Sequence, residues 1–115
     1  MIDFLPIAGS FVTLALGLLG LLAPGRAAAL VGVTADSALG RSEVRATYGG
    51  VFVGLGAACL ALRTPEAFAV AGVAWLFAAL ARVASLAVER DASARNLAGV
   101  IVESGIGLAL LSAWP

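Results

Sequence analysis

The first long apolar stretch is Phe4–Ala23, which reads FLPIAGSFVTLALGLLGLLA and contains no ionisable residue. An α-helix needs about 20 predominantly apolar residues to cross the hydrocarbon core of a bilayer. The stretch has that length, so it predicts a membrane-spanning helix. Only Met-Ile-Asp precedes it, without a basic residue. We therefore expect this helix to be retained rather than cleaved as a signal peptide.

Three further stretches of the chain have a similar length and are also mostly apolar. They are about Val44–Leu62, about Ala67–Val88, which contains Arg82, and about Leu97–Trp114, which contains Glu103. Short segments of alternating polarity, which mark transmembrane β-strands, do not occur in the sequence. We therefore predict an all-α fold: an integral membrane four-helix bundle, antiparallel and up-down, that forms a single transmembrane domain over residues 1–115.

Local signals predict where these helices end. They are Pro24-Gly25 after the first helix, Ser42 before the second, Thr64-Pro65 before the third, and Ser93 or Asp91 before the fourth. The connection between the first two helices contains the apolar run Ala27–Val33, which is too short to span a bilayer. We expect this run to form a short helix or turn at the membrane surface.

The composition agrees with a membrane protein. The residues AVILMFWYC make up 62% of the sequence and charged residues 12%, whereas about 25% of an ordinary soluble domain is charged. A soluble domain of this composition would expose a mostly apolar surface, and a disordered chain would be far more polar. Both of those classes are excluded.

The available residue types also exclude several kinds of site. The net charge is zero and there is no lysine, so the chain has no basic patch for nucleic acid. Because histidine is absent and Cys59 is the single cysteine, the usual zinc, haem and iron–sulfur ligand sets cannot form. A Ser-His-Asp group is impossible for the same reason. We predict no catalytic residue, no metal and no cofactor, and we interpret Cys59 as a small packing residue.

Two charges lie at similar depth in the third and fourth predicted helices. At 1.5 Å of rise per residue, Arg82 lies about 10 Å and Glu103 about 12 Å from the same membrane face. A lone charge in hydrocarbon is costly, and a guanidinium binds a carboxylate through two hydrogen bonds, so we predict that they pair. We expect a buried polar cluster around them, consisting of Glu43, Arg45, Tyr48, Arg82, Ser85 and Glu103. The pair is either a fixed device that sets helix register or a proton or ligand site.

Glycines form a second pattern, because their spacing places several of them on common helix faces. The predicted helix-packing residues are Gly49, Gly50, Gly54, Gly56, Gly99 and Gly107. Gly50 and Gly54 form a GxxxG pair, which lets helices approach closely in lipid. Arg45 points toward the other face, with Phe52 and Gly56. We expect one face to pack within the chain and the other to meet a neighbouring helix or a second subunit, with Phe52 and Gly56 in the assembly contact.

The run Glu43-Val-Arg45-Ala46-Thr-Tyr48-Gly49-Gly50, with Gly54 one turn later, resembles the signature of a known family. That family is an uncharacterised group of small bacterial four-helix membrane proteins, the domain of unknown function 4345. Further shared positions extend the resemblance over nearly the whole chain: Arg82, Ser85, Glu89 and Glu103. The resemblance implies the fold and a polar cluster, and it implies no particular activity.

The arginines predict an orientation. The connections after the first and third helices, with the start of the second helix, contain Arg26, Arg41, Arg45, Arg90 and Arg95, whereas the opposite side has only Arg63. The positive-inside rule places the richer side in the cytoplasm. Together with the resemblance to a bacterial family, this predicts a multi-pass protein of the bacterial inner membrane with both termini outside the cytoplasm.

Small size, short connections and the lack of catalytic groups favour a non-enzymatic structural or accessory subunit of a membrane complex or homo-oligomer. The expected partners are the lipid bilayer and other membrane subunits or the chain itself, and not nucleic acid. The alternative is a binding or transport module for a proton or small ligand that uses Glu103 and Arg82. A lipid-modifying enzyme with Glu103 as base and Tyr48 as acid is a third hypothesis. We disfavour it because nothing positions a nucleophile or metal.

Overall fold

A computed structural model describes residues 3–115, and this part of the chain is helical without a β-strand. The helices are α1 (Phe4–Leu22), α2 (Pro24–Leu30), α3 (Ala38–Leu62), α4 (Pro65–Glu89) and α5 (Ala94–Leu111). Four of them, α1, α3, α4 and α5, are long and apolar enough to cross a membrane. The prediction of an all-α chain with four long apolar helices is confirmed.

The start of α3 differs from the prediction. The helix begins at Ala38 rather than near Val44, and its N-cap is Ser37, whose Oγ accepts a hydrogen bond from the backbone N–H of Gly40 at 2.9 Å. The expectation that Ser42 caps this helix is therefore wrong. The apolar run marks only the part of a helix that suits hydrocarbon, and here the helix continues beyond it into a polar segment.

The start signals of the last two helices are confirmed. Thr64 Oγ1 accepts a hydrogen bond from the backbone N–H of Ala67 at 3.2 Å, ahead of Pro65 in the first turn. Ser93 Oγ accepts one from the backbone N–H of Asn96 at 3.3 Å, so Ser93 is the cap of α5. At the other end of α4, Arg90 adopts a left-handed conformation with φ of 52°, which ends the helix.

The short helix α2 occupies the connection between α1 and α3, where a short helix or turn was expected. Its residues Ala27 and Ala28 are buried together with Val44 of α3, and Leu19 and Tyr48 pack against this cluster. The connection is therefore folded back onto the first turns of α3.

The chain divides into two compact units, and α1 contributes residues to both. The first is Ser10–Leu62, and the second comprises residues 3–9 together with Arg63–Pro115. In the first unit, Gly20 of α1 lies against the backbone of Tyr48, and Leu14 lies against Gly56. As residue numbers increase along α1, the numbers of the contacting residues in α3 decrease, so these two helices are antiparallel.

The second unit contains the antiparallel pair α4 and α5. Gly72 lies against Gly107, and Arg82 lies against Gly99, so residue numbers again run in opposite directions. A Cβ atom on Gly72 would lie 3.0 Å from the carbonyl oxygen of Gly107. The two helices therefore approach closely where both lack a side chain.

Candidate functional site

A bidentate ion pair joins α4 to α5. Arg82 Nε donates to Glu103 Oε1 at 2.7 Å, and Arg82 Nη2 donates to Glu103 Oε2 at 3.0 Å. The side chains of Arg82 and Glu103 are 27% and 15% exposed, respectively. The predicted pairing is confirmed, and its planar two-bond geometry is the strong form of a carboxylate–guanidinium contact.

Asn96 extends the pair to the connection between the two helices. Arg82 Nη1 donates to Asn96 Oδ1 at 3.1 Å, and Asn96 Nδ2 donates to the carbonyl oxygen of Asp91 at 3.1 Å. The guanidinium is thus held by a carboxylate on one side and by an amide anchored to the connection on the other. Sequence reasoning did not place Asn96 in the cluster, although its spacing of seven residues from Glu103 puts both on one helix face.

Gly99 makes room for the guanidinium. A Cβ atom at this position would lie 2.7 Å from both Cζ and Nε of Arg82. The predicted packing role of Gly99 therefore takes a specific form, in which the glycine accommodates the charged side chain and not a helix backbone. The arrangement can lock the register of α4 and α5, since Arg82 is bonded to two residues of α5, Asn96 and Glu103, that lie two turns apart.

The other predicted members of the polar cluster are differently placed. Glu43, Arg45 and Tyr48 belong to the unit Ser10–Leu62, whereas Ser85 belongs to the unit of the ion pair. Glu43, Arg45 and Ser85 are exposed, so the expectation that all six residues are buried is wrong for these three. Tyr48 is half-buried, and its ring meets Phe52 edge-on with centroids 6.2 Å apart.

The exposure of Arg45 has a physical cause that the sequence did not indicate. Residues Arg45–Val51 of α3 form a π-helix, which coincides with most of the run that carries the family resemblance. A π-helical segment accommodates an extra residue, which rotates the preceding part of the helix by about 100° relative to a regular α-helix. Arg45 therefore does not share the buried face of Gly56, where regular helical spacing placed it.

The glycines of α3 separate into two sets. Gly49 and Gly56 face α1: a Cβ on Gly49 would lie 2.8 Å from the backbone nitrogen of Leu21, and one on Gly56 would lie 2.7 Å from that of Leu14. The expectation that Gly56 contacts a second subunit is therefore wrong, because this face packs within the chain. Phe52 lies on the same face, since a Cβ on Gly17 would be 2.9 Å from its Cβ.

Gly50 and Gly54, the GxxxG pair, make no close contact in the described part of the chain. A Cβ on Gly54 would meet nothing within 4 Å, and one on Gly50 would meet only the carbonyl oxygen of Arg45, at 3.7 Å. Both glycines are exposed. The face that packs on α1 thus contains Phe52 and Gly56, the two residues that the sequence analysis placed in the contact with a partner.

Sequence reasoning missed the matching face of α1. Ser10, Thr13, Gly17 and Gly20 are all buried, and their spacing of three, four and three residues places them on one stripe of a helix. Ser10 forms a side-chain hydrogen bond with the buried Cys59 of α3. This spacing of small residues was the available signal, because such stripes mark helix contacts in lipid.

No group of three His, Cys, Asp or Glu residues within positions 3–115 has an arrangement suited to a metal ion. Neither a curated protein nor a solved structure shows a significant match to the chain. A family model described as "Domain of unknown function (DUF4345)" matches residues 3–114, which include both glycine-lined helix pairs and the ion pair. The chain therefore belongs to the DUF4345 family.

Proposed function

We propose that the chain is a multi-pass integral membrane protein that spans the bilayer with α1, α3, α4 and α5. Each of these helices exposes large apolar side chains, for example Phe11, Val51, Phe77 and Ile101. In water such surfaces would associate, whereas in a bilayer they contact acyl chains. The arginine distribution supports a bacterial inner membrane orientation with both termini outside the cytoplasm.

The function that we propose is structural: a non-enzymatic accessory subunit of a membrane complex or homo-oligomer. The observation that carries this proposal is the bonding of Arg82, which contacts both carboxylate oxygens of Glu103 and the amide oxygen of Asn96. The intramembrane charges are thereby engaged with each other across two helices. This arrangement suits a register lock better than a reactive centre.

A double-mutant cycle tests the register lock. Arg82→Leu or Glu103→Leu alone leaves an unpaired charge in the bilayer, which costs about 3–5 kcal/mol. The double variant removes both charges and should recover most of that loss, giving a coupling energy above about 2 kcal/mol. Destabilisation of the double variant by the full sum of the two single effects would contradict the proposal.

Gentle extraction from the native membrane tests the accessory role. The extract is sized, and its companions are identified by mass spectrometry. Stoichiometric membrane subunits or a defined homo-oligomer support the proposal. Migration of the chain as a lone monomer contradicts it and favours the second candidate.

The second candidate is a binding or transport module for a proton or small ligand. It is favoured by the partial exposure of Arg82 and Glu103, 27% and 15%, which leaves the pair accessible from the surface of its unit. Under this function, Glu103→Gln abolishes binding or transport while the protein remains folded. If the Glu103→Gln variant still bound or transported the ligand, Glu103 would be excluded as the binding group.

A further inference from the structure

A second set of charges lies where α2 meets the start of α3, outside the Arg82–Glu103 pair. Arg26 of α2 and Arg45 of α3 are exposed, and Arg41 of α3 is half-exposed. Among residues 3–115, none of their guanidinium groups has an ion-pair or hydrogen-bond partner. Three strong donor groups therefore remain available at one region of the unit Ser10–Leu62.

The packing of α2 on α3 places Arg26 and Arg45 next in sequence to residues of one buried cluster. Arg26 directly precedes Ala27, Arg45 directly follows Val44, and Ala27 and Val44 are buried in one cluster. Arg41 lies one helical turn before Arg45, so the two side chains share a face. The three arginines thus start from the rim of a single packed cluster, and their long side chains can converge on one ligand.

The acids of this region do not neutralise the arginines. Asp36 lies in the connection between α2 and α3, and Glu43 lies on α3; both are exposed. Glu43 is two residues from Arg41 and from Arg45, a spacing at which helical side chains do not face each other. With three arginines and two acids between Pro24 and Arg45, the region carries a net positive charge.

Apolar side chains surround the same region and are also exposed. They are Leu30, Val31, Val33 and Leu39. A site for a soluble anion needs no such border, whereas a segment at the boundary of head groups and acyl chains combines cationic and apolar side chains. The combination therefore favours an amphiphilic ligand.

We propose that Arg26, Arg41 and Arg45 bind the phosphate of an anionic phospholipid head group. The proposal rests on the proposed four-span placement, which puts the end of α1 and the start of α3 at a membrane face. Guanidinium groups bind phosphate oxygens through paired hydrogen bonds, and basic sites beside membrane spans select anionic head groups. The adjacent leucines and valines contact the acyl chains of the same lipid.

The test uses the full chain in neutral detergent with phosphatidylglycerol or phosphatidylcholine, and bound lipid is counted by native mass spectrometry. We expect preferential retention of phosphatidylglycerol. Arg26→Gln, Arg41→Gln and Arg45→Gln should each weaken it by roughly fivefold. Arg90→Gln is the matched control, because it removes an exposed arginine from the connection between α4 and α5, and it should bind like the wild type.

Three outcomes would overturn the lipid site. Equal retention of both lipids would show that the protein does not select the charge of the head group. An equal loss of phosphatidylglycerol binding in Arg90→Gln would show that the effect depends only on the net charge of the protein. Inorganic phosphate that competes fully with phosphatidylglycerol would assign the arginines to a soluble anion. Arg45→Lys, which keeps the charge but not the planar donor pair, should bind between the wild type and Arg45→Gln; binding equal to the wild type would contradict the bidentate contact.

Folding and membrane placement are checked separately. Each variant is tested for retention in the membrane fraction after an alkaline wash. Loss of the wild type in that wash would refute the four-span placement, whereas lipid non-selectivity with full retention would refute only the lipid site. If the variant at the half-exposed Arg41 does not fold, the variants at the exposed Arg26 and Arg45 provide the measurement.

Discussion

Replacement of Gly20 by alanine should destabilise the contact between α1 and α3. The added Cβ would lie 2.5 Å from the carbonyl oxygen of Tyr48, 2.6 Å from its carbonyl carbon and 2.8 Å from the nitrogen of Gly49. All three are backbone atoms, so no side-chain rotation can relieve the overlap. Ordinary contacts are about 3.5–4.0 Å, so the helices would have to separate by roughly 1 Å.

The expected cost follows from that separation. A gap of this size forfeits a quarter to a half of each dispersion contact along the interface, and overpacking of a tight contact typically costs about 1–3 kcal/mol. An Ala for Gly exchange also favours helix formation by up to about 1 kcal/mol. Gly54→Ala is the matched control, because it brings the same propensity gain where a Cβ meets nothing within 4 Å.

The difference between the two variants isolates the overlap. Unfolding in mixed micelles by increasing dodecyl sulfate, followed by circular dichroism, gives the free energy of unfolding for each variant. We expect Gly20→Ala to be less stable than Gly54→Ala by about 1–3 kcal/mol. Equal stabilities would refute the α1–α3 contact described above, and the opposite order would indicate that Gly54 and not Gly20 lies in a tight helix contact.

Three further predictions concern the ion pair, a helix cap and the cysteine. Gly99→Ala should displace the guanidinium of Arg82 and lower the free energy of unfolding when Arg82 is present. In an Arg82→Leu background the same change should have little effect. Equal losses of stability in the two backgrounds would contradict the contact between Gly99 and Arg82. Thr64→Ala should cost about 1 kcal/mol of unfolding free energy through loss of the α4 cap, measured by the same titration, whereas Thr64→Ser should retain most of it. Cys59 is buried, so a maleimide should label it only after unfolding, and rapid labelling of the folded chain would contradict that burial.

The sequence predicts the long helices and the ion pair well because each depends on a strong local signal. Four apolar runs of about 20 residues indicated four long helices, since runs of that length and composition are typical of helices that can span a bilayer. The rise per residue placed Arg82 and Glu103 at equal depth, and charges in hydrocarbon require a partner. A pair of helices with a short connection then has one simple way to bring these residues together.

The face assignments of α3 were predicted less well because they depend on an uninterrupted helical period. The π-helical segment Arg45–Val51 shifts the phase between the two halves of α3, so a regular period cannot assign Arg45 and Gly56 correctly together. The tight face of α1 was missed for another reason: Gly17 and Gly20 carry no charge and lie in the most uniformly apolar stretch. Their spacing marks a helix contact, but it does not indicate which helix packs against it.

Under the proposed four-span placement, the order of the helices along the chain bears on how the protein would enter a membrane. Each compact unit combines a more apolar helix, α1 or α4, with a less apolar helix that follows it, α3 or α5. Under that placement, the strongly apolar helix would be inserted first during synthesis and would offer its small-residue stripe or its Arg82 to the next helix. The less apolar helix would then enter the bilayer beside a partner that is already in place, and Glu103 would pair with Arg82 as it enters. Exchanging the order of α4 and α5 would remove this assistance, and it would also remove the connection through which Asp91 holds Asn96.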